Sequence, residues 1–185
     1  FKHTSCQAHP GHACESLFAE GEKLLAQNKT TLERYGNFLT HADFVPHNFR
    51  IHDGTMYLLD QSSIRFGNKY ESWARFINFM VLYNPELARA LTEYVANNRA
   101  REEVLALKLM RVYRLGELIY YYTETLEKSE GNLHNLNSAR IDFWTDVLAA
   151  ALDDTFPNKE RIAAYEKLRD SLRSDDEKQR QINLH

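Results

Sequence analysis

The chain has 185 residues, with 26 acidic and 23 basic side chains and a formal net charge of -3. A chain of this length can bury its own hydrophobic core, so it needs neither disulfides nor a metal to fold. A hydrophobic fraction of 43% and an aromatic fraction of 12% exclude disorder as the main state. The slight acidic excess disfavours a nucleic-acid-binding surface, and no apolar run approaches the length of a membrane span. We therefore expect neither nucleic acid nor a membrane as a partner.

Residues 1–13 predict an irregular linker or interlobe segment, whose His and Cys side chains allow two interpretations. Tetrahedral zinc uses these residue types at short spacings, although the spacing here matches no known zinc module. The alternative is an exposed linker without metal. The residues concerned are His3, Cys6, His9, His12 and Cys14. Cys6 and Cys14 are the only cysteines, which favours a reducing, cytoplasmic location over a secreted disulfide framework.

A helical pattern begins at Cys14 and fades near Tyr35, with apolar residues spaced three and four apart. Two short β-type runs follow, at 49–51 and 56–59. Asp53-Gly54 lies between them and predicts a hairpin, because these residue types tolerate positive φ. Leu58 and Leu59 then predict a buried strand that ends at Asp60.

The chain after Tyr70 predicts helices only. Their expected ranges are 73–84, 85–97, 101–128, 133–152 and 157–172, followed by a polar tail at 173–185. Pro85 suits the first turn of a helix. We therefore predict a mainly α fold with one short β-hairpin, in which residues 14–172 form a single helical lobe.

The segment from 38 to 48 contains the pattern His-x-Asp-x-x-x-x-Asn, and an Asp follows the hairpin. Phosphoryl transfer needs metal ligands and a group that orients the attacking hydroxyl. Asp43 can accept or align the hydroxyl proton. Asn48 and Asp60 offer the oxygen ligands that Mg²⁺ prefers. Since a hairpin returns the chain, Asn48 at its start and Asp60 at its end are predicted to converge on one metal ion.

This order of residues resembles the catalytic and metal-binding segments of the aminoglycoside phosphotransferase and choline kinase family, which has a protein-kinase-like fold. The family pattern is close to His-Gly-Asp-Leu/Phe-x-Pro-x-Asn, then a hairpin, then Ile-Asp-Trp. The chain matches it at His41, Asp43, Phe44, Pro46, Asn48 and Asp60. The segment around Phe66-Gly67 and Ser72-Trp73-Ala74 is similar to the family's Gly-Asp-Pro-x-x-Asp-Leu-Ala, which starts a helix.

The resemblance implies an ATP- and Mg²⁺-dependent phosphotransferase that acts on a hydroxyl of a small molecule, such as an aminoglycoside, choline or a sugar. It makes Asp43 the catalytic base, gives His41 the task of holding the loop, and assigns Asn48 and Asp60 to the metal and nucleotide. The fold implied is the large C-terminal lobe of a kinase-like α+β protein. The sequence has no Gly-rich loop or nucleotide-binding Lys near its start, so we expect an N-terminal lobe with these features to precede residue 1.

A non-catalytic, degenerate kinase-like module is the alternative. Departures from the family pattern favour this alternative. Gln61-Ser62 follows Asp60, and the family's Asp, Pro and Asp are replaced by Asn68, Lys69 and Ser72. The run Tyr120-Tyr121-Tyr122 is a further candidate for lining a substrate pocket, although three consecutive helical positions point in three directions.

Overall fold

The structure is a computed structural model that describes residues 14–174. This part of the chain divides into two compact units. One unit contains residues 23–114, and the other contains residues 14–22 together with 115–174. The predicted site residues all lie in the first of these units.

The described residues form seven α-helices and four short strands. In chain order these are α1 (Cys14–Gln27), α2 (Lys29–Arg34), β1 (Phe38–His41), β2 (Phe49–His52), β3 (Thr55–Leu58), β4 (Ile64–Gly67), α3 (Glu71–Tyr83), α4 (Pro85–Asn98), α5 (Arg101–Leu126), α6 (Gly131–Leu152) and α7 (Lys159–Leu172). Short 3₁₀ turns at Pro46–Asn48 and Gln61–Ser63 precede β2 and β4. The mainly α fold with a short hairpin is therefore confirmed, while its assignment to a kinase-like lobe stays a prediction. No helix in this part of the chain has the length and apolar character needed to cross a membrane.

The predicted hairpin is the antiparallel pair of β2 and β3, in which Ile51 lies opposite Met56. Asp53 and Gly54 form its turn with φ angles of 49° and 72°, the positive values that favour these residue types. The prediction of a buried strand ahead of Asp60 is wrong, because every residue of β3 is exposed, and so is Leu59.

A second antiparallel pair was not predicted. Strand β4 pairs with β1 so that Leu39 lies opposite Phe66 and His41 opposite Ile64. Strand β1 precedes the hairpin and β4 follows it. Local sequence signals do not predict a pairing between strands so far apart in the chain. The segment around Ile64, predicted to lack regular structure, thus forms the strand that supports His41.

Helices α3 and α4 pack together in the unit at 23–114. Asn84 ends α3 and caps α4, accepting a hydrogen bond from the Leu87 amide at 3.0 Å, with Pro85 in the first turn as predicted. Ile77 and Val81 of α3 are completely buried. This packing fixes α3, which lies beside the site loop.

The second unit is built around α6 and α7, with the second half of α5. The Phe143 ring of α6 stacks on the Tyr165 ring of α7 with centroids 4.2 Å apart. Asn158 caps α7 by accepting from the Arg161 amide at 2.8 Å. Its core contains the fully buried side chains of Leu115, Ile119, Leu136, Phe143, Val147 and Leu148.

Candidate functional site

The loop between β1 and β2 brings Asp43 and Asn48 into direct contact. Val45, at the middle of the loop, is completely buried and anchors it to the core. The 3₁₀ turn that starts at Pro46 then turns the chain back. As a result, the Asn48 side-chain amide donates to the Asp43 carbonyl at 2.8 Å and to the Asp43 carboxylate at 3.1 Å. With its nitrogen held in this way, the amide directs its oxygen away from Asp43.

The hairpin returns Asp60 to the same loop, although not into side-chain contact with Asp43 or Asn48. The Leu59 amide donates to the Asn48 carbonyl at 2.7 Å. The Leu59 carbonyl lies 3.0 Å from His41 Nε2, which must be the donor because a carbonyl only accepts. Asp60 follows with a left-handed backbone, at φ 55° and ψ 60°. The contacts of Leu59 with Asn48 and His41 therefore hold Asp60 beside the loop.

The Asp60 carboxylate is exposed and accepts hydrogen bonds from the Ser62 and Ser63 hydroxyls, one on each oxygen. These two bonds, the one from Ser62 first, lower the pKa of the Asp60 carboxyl. The group is therefore anionic at neutral pH. Ser62, where the chain departs from the family pattern, thus donates a hydrogen bond that favours the charged form of Asp60.

His41 lies between the loop and the hairpin and is 4% exposed. Its Nε2 contacts Leu59, whereas its Nδ1 is buried and has no hydrogen-bond partner. Its ring packs edge-on against Phe44 at a centroid distance of 6.2 Å. These contacts link the start of the loop to the end of the hairpin.

Sequence reasoning missed Arg75, which pairs with the predicted base. Its Nε and Nη2 atoms donate to one Asp43 carboxylate oxygen at 3.2 and 3.0 Å. Both side chains are partly exposed. The Asp43 carboxylate is thus shared between the guanidinium on one oxygen and the Asn48 amide on the other. Arg75 belongs to α3, and no local signal links that helix to the loop.

Ser72 also contacts the loop from α3. Its hydroxyl accepts from the His41 amide at 2.9 Å and lies 3.1 Å from the His41 carbonyl and 2.6 Å from the Thr40 hydroxyl. The serine that replaces the family's Asp therefore still connects the start of this helix to the strand before the loop.

A buried ion network forms beneath the same strand. The Glu71 carboxylate, whose side chain is 4% exposed, pairs with Arg65 of β4 and with Arg114 of α5. Arg114 also donates to the Ala42 carbonyl in the loop at 3.2 Å. Gly67 lies so close that a Cβ there would be 2.5 Å from Glu71 Oε2 and 2.8 Å from Thr40 Cγ2. Only glycine allows this approach without movement of Glu71 or Thr40.

An apolar cavity of about 730 Å³ adjoins the loop. It lies within the unit at 23–114 and is formed by the loop, the hairpin and helices α3 and α4. Its lining consists of Phe44, Pro46, Phe49, Met56, Trp73, Phe76, Met80, Leu87 and Leu91. No charged side chain belongs to this lining.

Two further groups of candidate residues were named from the sequence. The hypothesis of a metal site at His3, Cys6, His9 and His12 falls outside the described residues, as does the Cys14 side chain. Within residues 14–174, no cluster of three or more His, Cys, Asp or Glu side chains is arranged to hold a metal ion. Tyr120 donates to Glu124 on its own helix, and Tyr121 is exposed, so neither joins the cavity.

Comparison with known proteins found no relative that could help to interpret this arrangement. The chain matches no protein-family model, and neither the curated proteins nor the solved structures yielded a match. The resemblance to the kinase family therefore stays a prediction from the sequence pattern.

Proposed function

We propose that the chain is the catalytic C-terminal lobe of an ATP- and Mg²⁺-dependent phosphotransferase that acts on a hydroxyl of a small molecule. The observation that supports this most strongly is the pairing of Asp43 with Asn48, with Asp60 returned to the same loop through Leu59. The motif residues, widely spaced in sequence, are thereby collected on one loop and the hairpin that follows it.

Asp43 takes the role of base in this proposal. The acceptor oxygen forms a bond to the γ-phosphorus of ATP while the bond from that phosphorus to ADP breaks, and the hydroxyl proton passes to the Asp43 carboxylate. Asn48 and Arg75 hold that carboxylate in position from its two sides. Positioning of this kind is the main contribution that a protein makes to phosphoryl transfer.

The donor atoms fit a magnesium ion. The Asn48 amide oxygen and the ionised Asp60 carboxylate are the hard oxygen ligands that Mg²⁺ selects. The serine hydroxyls that bond Asp60 leave further lone pairs on its oxygens for a cation. When bound, the ion neutralises charge on the nucleotide phosphates.

A nucleotide-binding lobe is the partner that this function requires. The sequence offers no Gly-rich loop or paired Lys, so we propose that an N-terminal lobe outside these residues supplies the contacts to ATP. A cytoplasmic location, where ATP is available, is proposed for the same reason.

The test is Asp43→Asn in the intact protein, joined to its nucleotide-binding lobe. Phosphate transfer from ATP to a panel of hydroxylated small molecules should fall by at least about a hundredfold, the usual contribution of a general base. Asp53→Asn is the matched control, since Asp53 lies in the exposed hairpin turn and should leave transfer unchanged. Transfer by Asp43→Asn at the parent rate would refute the role of Asp43.

A non-catalytic kinase-like module is the second candidate, favoured by the ion pair of Asp43 with Arg75. The guanidinium occupies one carboxylate oxygen of Asp43 that a substrate hydroxyl would otherwise approach. Titration of the intact protein with ATP, with and without Mg²⁺, separates the two candidates. Metal-dependent ATP binding supports the enzyme, whereas no binding at millimolar ATP supports the module.

A further inference from the structure

The apolar cavity beside the loop has the dimensions and chemistry of a small-molecule site. Its volume of about 730 Å³ falls within the range of roughly 300–1,000 Å³ that is typical of ligand pockets. Phe44, Phe49 and Phe76 line one part with rings edge-on or tilted to one another, at centroid distances of 4.8 to 6.4 Å. Such rings offer flat apolar surfaces to a bound ring system.

The chemistry of the lining restricts what the cavity can bind. All nine lining side chains are apolar, and an anion or a primary ammonium group placed among them would lose its hydration without gaining a hydrogen-bond partner. Met56 and Met80 add flexible side chains that adapt to an irregular shape. The portion of a ligand that enters the cavity must therefore be largely apolar.

The cavity and the polar cluster are built from the same two chain segments. Phe44 directly follows Asp43 in the loop, and Phe76 directly follows Arg75 in α3. Pro46 and Phe49 lie on either side of Asn48. The Asp43 cluster and the cavity lining are thus adjacent along the loop and along α3.

We propose that this cavity binds the apolar ring portion of an uncharged alcohol, which is the acceptor of the phosphoryl transfer. The identity of the ligand as an acceptor rests on the proposed function, whereas the binding of an apolar ring compound does not. The lining selects against polycationic acceptors such as aminoglycosides, because their primary ammonium groups would find no hydrogen-bond acceptor among these side chains. The chemical class of the acceptor is therefore a hydroxylated hydrophobic ring compound.

The neutral fluorescent probe N-phenyl-1-naphthylamine tests the cavity without nucleotide or metal. The sequence contains two tryptophans, Trp73 in the cavity lining and Trp144 in the other unit. In a Trp144→Phe background, Trp73 is the sole indole, and its emission should be quenched by energy transfer to the bound probe. We expect saturable binding at one probe per chain.

Two variants at exposed positions of the cavity lining, called rim variants, test whether the probe binds in the cavity. Leu87→Glu in α4 and Met56→Glu in β3 each place a carboxylate at an exposed part of the lining, where Leu87 is 37% and Met56 is 65% exposed. Each should weaken probe binding by at least about tenfold, because the apolar ligand would desolvate the new charge. Leu168→Glu is the matched control, since Leu168 is 46% exposed and lies in the other unit. Circular dichroism verifies the fold, and the two rim positions provide independent tests if one variant misfolds.

Binding that rises without saturation, or saturable binding that neither folded rim variant weakens, would overturn the proposed cavity site. Asp43→Asn separates this inference from the proposed function, since it should abolish transfer while the probe still binds with the parent affinity. Transfer confined to polycationic acceptors, with Asp43 still essential, would overturn the acceptor class and leave the phosphotransferase intact. Probe binding without any transfer would refute the proposed function and leave the apolar site.

Discussion

Arg75 donates to a single carboxylate oxygen of Asp43 through two nitrogens, at 3.0 and 3.2 Å. The other carboxylate oxygen accepts from Asn48. This arrangement fixes the orientation of the carboxylate and also adds a positive charge to the cluster that contains Asn48, one of the two proposed metal ligands. The contact with Arg75 thus helps to position the Asp43 carboxylate and opposes the binding of a cation nearby.

Arg75→Met should therefore strengthen divalent cation binding at the loop. Removal of a nearby unit charge from a partly exposed site is worth on the order of 1 kcal/mol, so the Mn²⁺ dissociation constant should fall by about threefold to tenfold. Electron paramagnetic resonance of free Mn²⁺ provides the measurement. Arg161→Met is the control, because Arg161 pairs with Asp146 in the other unit and should not alter the affinity. An unchanged or weaker affinity in Arg75→Met would contradict a cation site at Asn48 and Asp60.

Ser72→Ala should loosen the strand that leads into the loop. The substitution removes the hydroxyl that the His41 amide donates to and leaves that partly buried amide without its acceptor, at a cost of about 1–2 kcal/mol. Hydrogen exchange of the His41 amide should accelerate accordingly. Ser171→Ala removes an exposed serine that bonds only within its own helix, so it should leave this exchange rate unchanged. Equal protection of the amide in the parent and Ser72→Ala would show that Ser72 does not hold the strand.

The sequence was informative where the contacts are local. The contact between Asp43 and Asn48 spans five positions. The Asp53-Gly54 turn could be predicted because both residue types tolerate positive φ. By contrast, Arg75 and Ser72 reach the loop from a helix about thirty positions later, and this meeting depends on how α3 packs. Their functional positions could not be found from one sequence.

The error at β3 has a different cause. Leu58 and Leu59 were predicted to be buried because consecutive leucines usually enter a core. In the structure, Leu58 ends one strand of a sheet that has two strands within residues 14–174, Leu59 follows that strand directly, and both are exposed. Apolar character reports a tendency for burial, but the number of neighbouring strands decides how much burial a sheet provides.

The Glu103 carboxylate should make stability depend on acid pH. It accepts from the Lys69 ammonium and from the Tyr70 hydroxyl, each at 2.6 Å. These bonds, the Lys69 contact first, lower the Glu103 pKa from 4.5 to about 2. A lowered pKa in the folded state means that the stabilisation is complete above the unfolded pKa and is lost as pH falls through the folded value.

Between about pH 5 and pH 2 the parent should therefore lose about 2 kcal/mol more unfolding free energy than Glu103→Gln, which has no carboxyl to titrate there. Urea unfolding at a series of pH values gives both curves. Lys69→Met serves as a second comparison and should reduce the acid-dependent loss by removing the larger cause of the pKa shift. Parallel curves for the parent and Glu103→Gln would show that this carboxylate does not account for acid sensitivity.

The Glu71 network should be the most costly polar feature to break near the loop. Glu71→Ala removes the buried carboxylate that pairs with the mostly buried Arg114 guanidinium, and removal of one member of a buried pair costs about 3 kcal/mol. The loss should appear in urea unfolding and as faster exchange around Ala42, whose carbonyl accepts from Arg114. Glu102→Ala is the control, since Glu102 pairs with Arg34 at the surface, where such a pair is worth about 1 kcal/mol or less.

A second substitution identifies the source of this cost. If the penalty comes from the loss of the ion pair, Arg114→Met in the Glu71→Ala background should recover about 1–2 kcal/mol, because an apolar side chain does not need the Glu71 carboxylate. If it comes instead from lost packing of the Glu71 side chain, the double variant should be no more stable than Glu71→Ala. A loss below about 1 kcal/mol in the single variant would show that the network does not stabilise the strand before Asp43.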